Sequence, residues 1–378
     1  MKICIIADVQ SAHTKRWALA ILNKGHEVIV ISFRQGDIPG IKCHALKSPT
    51  IYGISPSVPG WAKFHYLFGR RAAQKIVDDF APDIVHAFWA TSYGFLAARL
   101  KTKCLFISVW GADITDSPTN PMMKQIVIYS LGKAEKIFCT SNFLLQKTEP
   151  FVSDKKKLIH IPFGIDTELF KPNQVKVNTG IVIGSTKSFE PKYGLINLVK
   201  AFCIVSNEIL DLKLWLVGGG SLKTSIETYI KDHCPDKNIR IEDPVDVMQI
   251  PSKLNNFDIF VMPSISESET FGVAALEASA CELPVIGSRI GGIPEVIKDG
   301  ETGILLPPDD VDALVSALLS LIIDRDKRVN MGKSGRIFVK SNYLWDKNVD
   351  MLLSHYVDHQ ANLGKKDKGK LRNLSGVN

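Results

Sequence analysis

Residues 263–297, PSISESETFGVAALEASACELPVIGSRIGGIPEVI, constrain the fold more than any other part of the chain. Just before them, Phe257-Asp258-Ile259-Phe260-Val261-Met262 is a short apolar run stopped by Pro263 and a cluster of serines, the pattern of a buried strand that delivers a loop. Residues 271–281 are then mostly small (Gly272, Ala274, Ala275, Ala278, Ser279, Ala280), which suits a helix pressed against a sheet, with Thr270 as its expected N-cap. A helix start leaves N–H groups without partners and carries partial positive charge, so it is a seat for phosphate. Glu269 stands just before this helix and Glu277 within it. A helical path would separate them by roughly 12 Å, beyond the roughly 5 to 10 Å of a glycosidase carboxylate pair. For these two acids alone, two readings stay open. They hold different ends of one long ligand, or Glu269 caps the helix and Glu277 is an exposed helix residue.

The same strand, loop and helix rhythm runs through the rest of the chain, and 378 residues suit two domains better than one core. Residues 2–7, a polar loop, a helix from about 15 to 23 and an apolar run at 28–31 make a βαβ opening of a parallel, doubly wound sheet. Its first loop, holding Ser11 and His13, points at the sheet's carboxyl edge, where such folds bind ligands. Strand patterns recur at 83–87, 104–109, 136–140 and 157–162. The pattern restarts at 180–184, followed by a loop with Lys187 and Lys192, then by 212–217 ending in Gly218-Gly219-Gly220, which need be no more than a turn. The expected division is 1–170, 171–340, a closing helix at 341–358, and a basic, apolar-poor tail at 359–378 expected to be disordered.

Composition narrows the setting. Seven cysteines, an odd number, lie scattered without a CxxC, so they read as reduced core residues of a cytoplasmic protein rather than a disulfide frame or zinc site. No run of about 18 apolar residues occurs, so neither export nor membrane spanning is expected. Residues 1–170 carry 21 Lys and Arg against 13 Asp and Glu, and the remainder 25 against 26, so the positive charge sits in the first half. Such a field suits an anionic membrane surface or acidic acceptor, with a generic solvated surface as the alternative. Residues 61–80, with Trp61, Phe64, Leu67 and Phe68 beside Arg70, Arg71 and Lys75, read either as a core-packed helix or as one lying at a membrane interface. Asp310-Val311-Asp312 and Asp324-Arg325-Asp326 fall where helices start or end and are expected to cap them, not to bind a metal.

Glu269, Phe271-Gly272, Glu277, Pro284-Val285 and Gly291-Gly292-Ile293-Pro294-Glu295, in this order, resemble the signature of retaining glycosyltransferase family 4, the group 1 glycosyltransferases. The resemblance covers roughly residues 1–359 and is more specific after Gly180. It implies the GT-B fold, two Rossmann-like α/β domains facing each other across a cleft, the first on the acceptor side and the second binding the nucleotide-sugar. It implies a hexosyltransferase-type enzyme that moves a sugar from a UDP- or GDP-sugar to a hydroxyl of a glycan or lipid-linked acceptor, in bacterial polysaccharide or lipid-linked glycan assembly. No cofactor, no strictly required metal and no nucleic acid are implied, and the place is the cytoplasm or the inner membrane face. Carried over by position, Lys187 and Lys192 grip the donor diphosphate with the N–H groups at Phe271, Gly272 and Val273. Glu269 touches the sugar or phosphate, and Glu277 the ribose. Val245 stands by the base, Ser11 and His13 in a loop for donor or acceptor, and Asp113 in acceptor binding or proton handling. Three departures stand out: Trp110 where the family has His, Lys187 where it usually has Arg, and Glu282 where it usually has Gly. The alternatives are a nucleotide-sugar epimerase of the same fold and a non-catalytic glycan-binding or assembly subunit.

Overall fold

The computed structural model describes residues 1–47, 66, 68–173 and 180–374, with side chains described through residue 361. The chain divides into two compact units. The first comprises Met1–Thr140, Leu144–Ile161 and Asp346–Asn378, the second Ser141–Phe143 and Pro162–Trp345.

In the first unit, short apolar runs form β1 (Lys2–Ile6), β2 (Glu27–Ser32), β4 (Ile84–Phe88), β5 (Leu105–Val109), β6 (Lys136–Cys139) and β7 (Leu158–His160), while the edge strand β3 (Lys42–Ala45) is polar and only partly buried. They pair in parallel in the order β3-β2-β1-β4-β5-β6-β7. Helices cover the faces of a parallel sheet, which is why β4 and β5 are buried at every position. The strand order reverses between β1 and β4, so the loops after these two strands flank the sheet's switch point. The closing helix, Trp345–Leu374, belongs to this unit from Asp346 onward. Its fully buried Tyr356 stacks on Phe106 and brings its hydroxyl within 2.5 Å of His86 Nδ1, while His86 Nε2 lies 2.8 Å from the Ser108 hydroxyl. Burial pushes His86 down to about 3, so it is neutral in this tie.

Here the structure corrects the expected tail. The helix continues to Leu374, because residues after His359 hold no proline and many good helix formers, and a helix already anchored at Tyr356 propagates at little cost. Residues 61–65 and 67 of the segment 61–80, with Trp61, Phe64 and Leu67 of the expected interfacial face, lie outside the described residues. Its described helix is Arg70–Phe80, preceded by an exposed Phe68.

The second unit holds β8 (Ile181–Ser185), β9 (Leu212–Val217), β10 (Ile239–Glu242), β11 (Ile259–Met262), β12 (Val285–Ser288) and β13 (Gly303–Leu306), parallel in the order β10-β9-β8-β11-β12-β13. Counted from its own first strand this is the 3-2-1-4-5-6 order of a Rossmann sheet, with the switch point between β8 and β11. Asp310 and Asp324 cap helices Val311–Ile323 and Arg325–Asn342 by accepting from the N–H groups of Ala313 and Lys327, each at 2.8 Å, as the sequence suggested.

Two further expectations fail in this unit. Cys203, in helix Leu195–Glu208, and Cys234, just past helix Lys223–His233, form a disulfide with their Cα atoms 5.9 Å apart, and the other five cysteines are free. Both cysteines are buried in one core cluster, a proximity that spacing along the chain does not reveal. The helix after β11 runs Val273–Ala280, and its N-cap is Gly272, not Thr270. Gly272 sits at φ 99°, a conformation closed to a β-branched threonine. At its other end Glu282 takes φ 61°, so the turn usually made by glycine is kept by a glutamate in the left-handed region.

Candidate functional site

The loops after β8 and β11 converge on a charged cluster at the switch point of the second sheet. Lys187 leaves the end of β8 and its Nζ lies 2.6 Å from Oε2 of Glu269, which comes from the loop after β11. The two side chains are only 12% and 11% exposed, so this is a nearly buried pair and not a solvated surface contact. Burial pulls the Lys187 ammonium down, but Glu269, with Tyr193 and Glu277 behind it, outweighs that and holds its pKa above the ordinary lysine value. Lys187 therefore stays charged near neutral pH. Its Nζ lies 4.1 Å from the centre of the Tyr193 ring, and Lys192 Nζ lies 4.9 Å from the same ring. Glu269, Lys187, Lys192 and Glu277, from the loop after β8, the loop after β11 and the helix that follows it, thus lie within one neighbourhood.

Backbone packing fixes that neighbourhood. Gly194 has φ 61°, and a Cβ there would stand 2.1 Å from the Pro263 carbonyl oxygen, so Lys192-Tyr193-Gly194 lies directly on the end of β11. The Ile265 N–H donates to the Lys192 carbonyl at 2.9 Å and closes the same contact. Beneath Glu269, the Gly292 N–H donates to the Glu269 carbonyl at 3.0 Å, and a Cβ at Gly292 would meet the Thr270 carbonyl at 2.0 Å. The Gly291-Gly292 pair is thus the floor under the Glu269 loop. The turn at 218–220 does more than reverse the chain, since the Phe189 N–H donates to the Gly219 carbonyl and Glu190 accepts from the N–H and hydroxyl of Ser221. It seats the lysine loop.

Other expected donor residues fall around this cluster. Gly272 and Val273 open the helix Val273–Ala280, whose first N–H groups an α-helix leaves without internal partners. Phe271 presents no ring to a ligand. It is buried edge-on against Phe163 and Tyr343, so only its main chain can serve a donor. Val245 lies in the loop after the edge strand β10, and its neighbour Pro244 abuts Gly219.

In the first unit the expected residues form a second group. Ser11 occupies the N-cap of helix Ala12–Asn23 without a side-chain capping bond. His13 meets Trp110 edge-on at 5.7 Å, and Trp110 lies against Phe88 at 4.5 Å. Burial, with Arg16 nearby, pushes His13 down to about 4. Asp113 is fully buried, and its carboxylate accepts from the N–H groups of Ala90 at 2.9 Å, Gly111 at 3.0 Å and Trp110 at 3.3 Å. Burial pushes it up to about 6 against the pull of those N–H bonds. It ties the loops after β4 and β5 together. Sequence reasoning missed Tyr193, whose place between Lys192 and Gly194 gives no sign of its contacts with both lysines. It also missed Arg34, which bonds Gln10 at 2.9 Å and lies 3.4 Å from Asp8, bracing the loop after β1.

Among the described residues no group of His, Cys, Asp and Glu could hold a metal ion, and no helix is long and apolar enough to cross a membrane.

Two parallel Rossmann-like units, the second with paired charges at its switch point, define the GT-B class of sugar-transferring proteins. Comparison with known proteins agrees. The family described as glycosyl transferases group 1 matches residues 166–338, and that described as glycosyl transferase 4-like matches residues 2–141. The chain belongs to the group 1 glycosyltransferases of the family 4 type. It is 27% identical over 293 residues to N-acetyl-alpha-D-glucosaminyl L-malate synthase of Bacillus anthracis, covering 73% of this chain and 74% of that one. It is 29% identical over 266 residues, 67% and 69% of the two chains, to a GDP-mannose-dependent alpha-(1-6)-phosphatidylinositol monomannoside mannosyltransferase of Mycolicibacterium smegmatis. In fold it is similar to sucrose-phosphate synthase from Thermosynechococcus elongatus, with a TM-score of 0.83, 18% identity, and 96% and 100% of the two chains covered. Anabaena HepE in complex with UDP and glucose matches with a TM-score of 0.75 at 15% identity, covering 95% and 99%.

Proposed function

We propose that this glycosyltransferase moves a hexose from a UDP- or GDP-sugar to a hydroxyl of a glycan or lipid-linked acceptor, with retention of the anomeric configuration. The observation that carries this is the convergence of Lys187, Lys192, Glu269 and Glu277 at the switch point between β8 and β11. Two ammonium groups beside a helix N-terminus suit a nucleoside diphosphate, whose charge grows as it leaves. The C1–O bond to the phosphate breaks, the acceptor oxygen bonds C1 from the same face, and the acceptor proton passes to the departing phosphate oxygen. Fixed cations then serve the leaving group without a metal. Glu277 takes the ribose hydroxyls and Glu269 the sugar or its phosphate. The similarity to proteins whose names carry UDP and GDP-mannose supports both bases as donors to test. The basic residues 1–170 support work at the inner face of a membrane.

The test is calorimetric titration of UDP and GDP into the wild type, Lys192→Ala and Glu277→Ala. One nucleotide is expected to bind the wild type and to bind each variant at least about tenfold more weakly, a loss of about 1.4 kcal/mol. Unchanged affinity in both variants rejects the site. The anomeric configuration of the product, read by NMR, decides retention. A second reading, a glycan-binding subunit without turnover, draws on Trp110, which packs between Phe88 and His13 where the family has a histidine. Binding of nucleotide with no hydrolysis or transfer from any donor would favour it.

A further inference from the structure

Tyr193 has a part that neither the family resemblance nor the sequence assigns to it. The diphosphate reading places two like charges, Lys187 and Lys192, five positions apart on one loop, and two ammonium groups brought together repel each other. Glu269 offsets one of them, through its 2.6 Å contact with Lys187. Both face a common group: the Tyr193 ring centre lies 4.1 Å from Lys187 Nζ and 4.9 Å from Lys192 Nζ. An aromatic face attracts ammonium groups through its quadrupole, and does so more strongly where water is partly excluded.

The ring is not free to drift. Pro191-Lys192-Tyr193 is a single 3₁₀ turn that starts at a proline and ends at Gly194, φ 61°. The Tyr193 N–H donates to the Glu190 carbonyl at 3.0 Å, and Glu190 is itself held by the Ser221 N–H and hydroxyl at 3.0 and 2.6 Å. On the other side the Lys192 carbonyl and Gly194 rest against Ile265 and Pro263, at the end of the strand that delivers Glu269. The backbone that carries the ring is therefore fixed to both loops that supply the charges.

We propose that Tyr193 is a positioning residue, whose ring gathers the ammonium groups of Lys187 and Lys192 and holds them converged on the diphosphate of the donor. It acts through the two lysines and not by touching the sugar. This inference rests on the nucleotide-sugar reading of the same site.

Tyr193→Phe keeps the ring face, and Tyr193→Leu removes it while keeping an apolar side chain. Affinities for UDP and GDP, and for uridine and guanosine as the same bases without phosphate, separate a phosphate effect from a general one. Tyr193→Phe is expected to bind the preferred diphosphate within about twofold of wild type, and Tyr193→Leu about tenfold more weakly, as expected for two lost cation–ring contacts. Affinity for the nucleoside should be the same in all three proteins. Equal loss in Phe and Leu variants would assign the effect to the hydroxyl and overturn the proposal, and so would equal loss of nucleoside and diphosphate, which marks a collapsed loop. Wild-type binding by Tyr193→Leu beside loss in Lys192→Ala would overturn the proposal and leave the site standing. Wild-type binding by both Tyr193→Leu and Lys192→Ala would overturn the site reading itself.

Discussion

At the scale of single residues the candidate site is centred on the pair of Glu269 and Lys187. A nearly buried ammonium survives there because a carboxylate lies 2.6 Å away, and a buried pair costs most when one partner alone is removed. Glu269→Gln keeps the shape and an acceptor oxygen but takes away the opposing charge. Without that charge, burial disfavours the Lys187 ammonium, so a nucleoside diphosphate should bind more weakly than in the wild type. Turnover should fall by about 10² to 10³, the usual cost of one group aimed at developing charge. Steady-state rates with the preferred donor, set beside calorimetric affinities, check both halves. A turnover number within about twofold of wild type would leave Glu269 a purely structural partner of Lys187. Apolar runs placed these residues just beyond strand ends, but their roles were legible only through the resemblance to a family signature, since Glu269 and Glu277 alone left two readings open. Tyr193 was not legible, since an aromatic residue near a lysine becomes a partner only when a distance such as 4.1 Å is known. Asp113 was legible as a loop carboxylate, but its use depends on three backbone N–H groups that no spacing reveals.

Elements obey a different limit, because their contacts join distant parts of the chain. The tie between the closing helix and the first sheet pairs Tyr356 with a histidine 270 positions earlier, in the middle of a strand that reads as plain core. The disulfide between two successive helices and the glycine cap at Gly272 were hidden for similar reasons, one set by helix packing and the other by a φ angle. Alternation of strands and helices did reveal both parallel sheets, since buried parallel strands must be short apolar runs. The His86 tie has a pH signature. An unfolded histidine takes up its proton near pH 6.5, whereas His86 in the fold resists it down to about 3. The unfolded chain therefore binds more protons below pH 6.5, and stability must fall as pH drops through that window, by about 1.4 kcal/mol per unit. From pH 7 to 5 the wild type should lose about 2 kcal/mol through this one group, and His86→Gln should lack that share of the loss. Urea unfolding at the two pH values measures it, and an identical pH dependence in both proteins would show that His86 does not carry it.

Across the whole molecule the distribution of charge is the feature that no single site explains. The net charge of +7 comes from residues 1–170, with 21 basic against 13 acidic residues, while the remainder is nearly balanced at 25 against 26. The halves of the sequence therefore differ electrically although they repeat one architecture, and the Lys187–Glu269 cluster lies in the balanced half. Catalysis at a diphosphate needs only local cations, so a donor site alone does not account for an excess spread over the other half. A field of that kind acts over a Debye length of about 8 to 10 Å at ordinary salt, and basic residues near an anionic bilayer contribute about 1 kcal/mol each. Vesicles of phosphatidylglycerol mixed with phosphatidylcholine should therefore sediment the protein at low ionic strength, and pure phosphatidylcholine should not. Raising salt to about 0.5 M shortens the Debye length to a few ångströms and should release it, because the attraction is carried by screened surface charge and not by inserted apolar area. Binding that survives high salt would point instead to an apolar anchor such as exposed Phe68, and absence of binding to anionic vesicles would return the charge excess to ordinary solvation.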